Sequence, residues 1–117
     1  TALAEIEKLE ASGLLEDGRI KEYYTALSEV IRKYINGIYA IPTMERTTEE
    51  IMHDLKSKNL VDAIFNSFAG FFSECDMVKF AKYRPTAGEL KSITPKACEL
   101  VALTAPNPPL PPFEKVG

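Results

Sequence analysis

The chain has 117 residues, 45% of them hydrophobic and 26% charged, with a formal net charge of -3. That length suits one domain with one real core, and the mild acidity argues against a nucleic-acid or membrane-surface role for the whole domain. Charge is uneven, however: residues 1–60 hold eleven acids and eight bases, whereas Lys79, Lys82, Arg84, Lys91 and Lys96 face one acid, Glu89.

Strand signals are nearly absent and helical spacing dominates. "ALAEIEKLEASG" reads as a short first helix stopped by Gly13. From Asp17, residues Ile20, Tyr24, Leu27, Ile31, Tyr34 and Ile38 recur at spacings of four and three, one apolar stripe on a helix of about five turns. Lys21, Glu22, Thr25, Ser28, Glu29, Arg32, Lys33 and Asn36 form its polar face, with Glu29 and Lys33 as an i,i+4 pair. Gly37 and the Ile41-Pro42 step should end it. Thr47-x-x-Glu50 is a capping box ahead of Ile51, Met52 and Leu55.

Helical spacing resumes through Val61, Ile64, Phe65, Phe68, Phe71 and Phe72, and Gly70 within it implies a local packing demand or a bend. The following "FFSECDMVKFAKYRP" either prolongs that helix or turns back on the core, with Ser73-x-x-Asp76 as the cap of a new one. Thr86-x-x-Glu89 is a second capping box, and Leu90, Ile93, Ala97, Leu100 and Val101 hold register behind it. Pro95 either kinks this last helix or starts another capped by Thr94. Prolines at 106, 108, 109, 111 and 112 then impose an extended polyproline segment, a spacer or a docking strand.

These elements predict an all-α, single-domain helical bundle of four to five helices over residues 1–104 and a proline-rich tail over 105–117. Tyr24, Leu27, Ile31, Tyr34, Ile38, Ile51, Leu55 and Ile64 should enter the core, with Phe65, Phe68, Phe72, Phe80, Leu90, Ile93 and Val101.

No chemistry emerges. His53, the single histidine, sits opposite the Ile51, Met52 and Leu55 stripe and reads as a solvated side chain. Cys75 and Cys98 lack a CxxC pattern or a neighbouring base and read as buried, reduced thiols. The glycines are scattered rather than grouped in a phosphate loop. The expectation is therefore a protein that is not an enzyme, with no catalytic residue, metal or cofactor. "KFAKYR" mixes bases and aromatics, and its expected packing buries Phe80 and Tyr83 while Lys79, Lys82 and Arg84 form a basic edge for a protein partner. The rival is a helix-turn-helix nucleic-acid binder built on residues 48–57 and 61–74, with bases from 79 to 96 as its footprint.

"IKEYYTALSEVIRKYINGIYAIPTMERTTEEI" (20–51) and "FFSECDMVKFAKYRPTAGEL" (71–90) resemble the cytoplasmic C-terminal region of BatD-type aerotolerance (oxygen-tolerance) proteins and their membrane-anchored relatives. The resemblance rests on Leu27-Ser28-Glu29, Ile31-Arg32, Tyr34, Ile41-Pro42, Glu45 to Glu50, and Glu74 to Tyr83 with Pro85. Pro95 and the proline-rich tail depart from that pattern. The resemblance implies a scaffold or adaptor at the inner face of a bacterial membrane, with MoxR-type AAA+ ATPases and von Willebrand factor A proteins as partners. It carries over no catalytic residue. A start without Met accords with a soluble piece of a longer protein whose remainder supplies any membrane span. No apolar run in this chain reaches the ~20 residues a spanning helix needs.

Overall fold

The computed structural model describes residues 1–105, which form α1 (Ala2–Glu10), α2 (Ile20–Tyr39), α3 (Thr48–Lys56), α4 (Asp62–Phe80) and α5 (Ala87–Thr104). Among the described residues there is no strand, so the all-α expectation holds, while the predicted proline-rich tail from residue 106 lies outside them. None of the described helices is long and apolar enough to cross a membrane.

The helix α2 packs against α1, α4 and α5, and α4 packs against α2, α3 and α5. A helix with three neighbours must bury more than one stripe. Accordingly Tyr23, Val30 and Ile35 join Tyr24, Leu27 and Ile31 in the core, while the predicted members Tyr34 and Ile38 are half-buried. Ser28 and Arg32, expected on the polar face, are buried as well. The expected Glu29–Lys33 pair is replaced by other partners. Lys33 reaches Glu5 of α1 at 3.1 Å, and Glu29 lies 3.8 Å from Arg32. Gly37 does not stop α2. The helix ends at Tyr39, where Ala40 turns left-handed at φ 57° and donates its N–H to the Asn36 carbonyl.

The helix α4 runs unbroken from Asp62 to Phe80, so Ser73 is a mid-helix residue and no cap. It contributes Phe68, Phe71, Phe72, Cys75 and Val78 to the core, with Ile64 and Phe65 half-buried beside them. Phe80 corrects the expected core: it is 76% exposed, because α4 carries its last residue past Val78, its final buried position. Tyr83 is not anchored either, and its hydroxyl donates to Glu89 Oε1 at 2.8 Å. A methyl placed at Gly70 would meet no atom within 4 Å, so internal packing does not demand glycine there.

Both capping boxes form as read: Thr47 with Glu50, and Thr86 with Glu89. The helix α5 passes through Pro95 as one element. Thr94 is turned inward, its hydroxyl 2.5 Å from that of Tyr23, and so serves tertiary packing instead of starting a helix. Ile93, Ala97, Leu100 and Val101 bury the inner face of α5, and Ile6 of α1 closes the core against α2 and α5.

Candidate functional site

The joint between α2 and α3, residues 40–47, is shaped from beneath by Arg32. This side chain is only 9% exposed, and its Nη2 donates to the backbone carbonyls of Thr43, at 3.2 Å, and of Arg46. Thr43 returns a bond, its hydroxyl donating to the Arg32 carbonyl at 3.1 Å. Asn36 Nδ2 holds the Ile41 carbonyl at 2.9 Å, and Ile41 itself is buried. The buried guanidinium and the Asn36 amide thus donate to loop carbonyls, of which that of Thr43 also receives the Arg46 N–H at 3.3 Å. Arg46 faces the other way, meeting Asp54 at 2.8 Å and Glu50 at 3.6 Å. The Thr47 backbone N–H donates to Glu50 and holds that carboxyl below its ordinary value.

This braced joint forms one wall of an open depression of about 890 Å³ between α3 and α4. Met52 of α3 and Ala69, Met77 and Phe80 of α4 give it an apolar lining, and Ser73 lies on the same α4 face. Met77 and Phe80 are 46% and 76% exposed, so the depression opens to solvent. Glu45, Glu49 and Asp76 line it and have no ion-pair partner among the described residues. Arg32 and Arg46 are committed to the joint, and the Lys79 ammonium sits 5.1 Å from the Phe80 ring centroid, in cation–π range. The uncommitted charge of the groove is therefore acidic.

All but Met52 and Ala69 of the groove lining belongs to the two stretches 20–51 and 71–90, distant in sequence and adjacent here. Compared with protein-family models, curated proteins and solved structures, the chain matches none.

Of the expected basic edge, Lys79 lines the groove, whereas Lys82 and Arg84 are exposed in the segment after α4 and are not part of the lining. Lys82 occupies a left-handed turn at φ 58°, where the N–H groups of Ala81 and Tyr83 both reach the Met77 carbonyl at 3.1 Å. His53 is exposed on α3, and Cys75 lies inside the core, where burial pushes its thiol up to about 12. The acidic wall at Glu45 and Glu49 escaped the sequence reading, since Glu49 is explained as a first-turn acid of α3 and Glu45 lies in the joint before it. Their signal was tertiary: the wall exists only once α4 lies beside α3.

Proposed function

We propose that this chain is a non-catalytic protein-interaction module and that the α3–α4 groove is its docking surface. The observation that carries this reading is an apolar, solvent-open depression assembled from the two stretches behind the BatD resemblance. A concave surface with an apolar floor and charged flanks is the kind of site that binding partners use. By that resemblance, the chain is the cytoplasmic part of a membrane-anchored bacterial scaffold protein. Its partners are then a MoxR-type AAA+ ATPase or von Willebrand factor A proteins. The helix-turn-helix rival is disfavoured by the carboxylates of Glu45, Glu49 and Asp76, unpaired among the described residues, on and beside the two helices it would lay against DNA phosphates.

The test places a photo-crosslinking amino acid at Met77 in the full-length gene product in its native cells, with a control at Lys8. A discrete protein adduct seen from position 77 and not from position 8 is the expected result. Adducts to nucleic acid, or none specific to position 77, overturn the proposal. The membrane anchoring is checked separately, by a spanning segment upstream of Thr1 in the full gene product.

A further inference from the structure

The occupant of the groove can be specified more closely. Resting on the docking role proposed above, we infer that the groove takes a basic amphipathic helix of a partner protein, apolar on one face and carrying lysine or arginine along its flank.

Shape supplies the first half of the argument. The α4 wall follows one helical face, Ala69, Ser73, Met77 and Phe80, at spacings of four, four and three. At 1.5 Å per residue this is about 16 Å of helix, or three turns. The opposite wall is again helical, carried by Thr48, Glu49 and Met52 at the start of α3. Two helices side by side present ridges between which a third can lie. The small side chains of Ala69 and Ser73 admit its backbone at one end of the α4 wall, Met77 and Phe80 offer apolar surface at the other, and Met52 adds an adaptable side chain from α3. Helix-in-groove recognition through residues spaced i, i+4 and i+7 uses this kind of surface.

Charge supplies the second half. Among the described residues, Glu45, Glu49 and Asp76 stand on the groove with no ion-pair partner, and the one lining base outside the joint, Lys79, lies over the Phe80 ring. Arg32 and Arg46 hold the joint, so they are not available to an incoming acid. A ligand flanked by lysine or arginine satisfies the three carboxylates, whereas an acidic helix would place like charges together. The same carboxylates oppose docking on an anionic bilayer.

The probe is a phage-displayed library of random 16-residue peptides, selected on the immobilised chain at 50 mM salt. Binders to a Met77→Asp/Phe80→Asp double variant are removed, after circular dichroism has established that this variant is folded. The expected peptides carry net positive charge and apolar residues at i, i+4 and i+7. Neutralising the carboxylates together, Glu45→Gln with Glu49→Gln and Asp76→Asn, should weaken the synthesised peptides about tenfold at 50 mM salt, as three exposed pairs would. That ratio should shrink in 500 mM salt. Groove-dependent peptides of net negative or zero charge overturn the inference and leave the docking surface standing. Recovery of no groove-dependent peptide removes both.

Discussion

Arg32 offers the sharpest test of how the site is built. Replacing it with methionine keeps an apolar stem of similar reach and deletes the donors, together with the 3.8 Å pair to exposed Glu29, which contributes little. Two hydrogen bonds are lost, to the Thr43 and Arg46 carbonyls. They are not equivalent, because the Thr43 carbonyl keeps the Arg46 N–H at 3.3 Å while the Arg46 carbonyl loses its side-chain donor. A bond to a charged group contributes about 1.5–3 kcal/mol. The desolvation of a buried guanidinium offsets part of that. Arg32→Met should therefore cost about 2–3 kcal/mol, and Arg32→Lys, retaining one donor, about half as much. Urea unfolding with the slope held constant measures the loss. Native-state hydrogen exchange should place it in residues 40–47, where opening becomes easier well before the core of α2 and α4 yields. A methionine variant within about 0.5 kcal/mol of the wild type, with unchanged exchange across the joint, would refute the bracing role of Arg32.

Three further outcomes are expected. Gly70→Ala should stabilise the chain by about 0.5–1 kcal/mol, since a methyl there meets nothing within 4 Å, whereas Gly13→Ala at φ 81° should destabilise it; thermal melts of both give the signs. Tyr23→Phe leaves the buried Thr94 hydroxyl without its partner and should cost about 1–2 kcal/mol, while the Tyr23→Phe/Thr94→Val double variant should recover part of that in a denaturation cycle. Burial holds the Cys75 thiol protonated up to about 12, against an ordinary 9.0. Between those pH values the unfolded chain has released a proton that the folded chain keeps. Stability therefore falls as pH rises there, by up to about 1.4 kcal/mol per unit, and Cys75→Ala should make the decline shallower. Tyr24, raised by its own burial, continues that decline in both proteins.

What the sequence disclosed follows from which interactions are local. Both capping boxes could be read from four residues each, because donor and acceptor lie within one turn. The spacing of Tyr24, Leu27 and Ile31 located the buried face of α2, but not its width, which depends on α1, α4 and α5 arriving from separate directions. Arg32 looked solvated for the same reason: its partners are main-chain carbonyls 11 and 14 residues away, and carbonyls have no sequence signature. Phe80 looked like core because it is aromatic, yet it is the last residue of α4, beyond the final buried position Val78, and lines an open groove. The groove was invisible for a related reason, since its two walls carry no chemistry separately.

The brace at Arg32 has an evolutionary implication. It grips main chain, so the path of the loop does not depend on which side chains occupy positions 44 and 45. Met44 is 85% exposed, and Glu45, at φ 58°, asks only for a residue tolerant of a left-handed backbone, such as asparagine or glycine. Glu45 can therefore be exchanged for neutral asparagine or glycine, removing its charge, while the wall keeps its shape. Related chains could thus retune whom they bind through one or two codons, without renegotiating the fold that presents them.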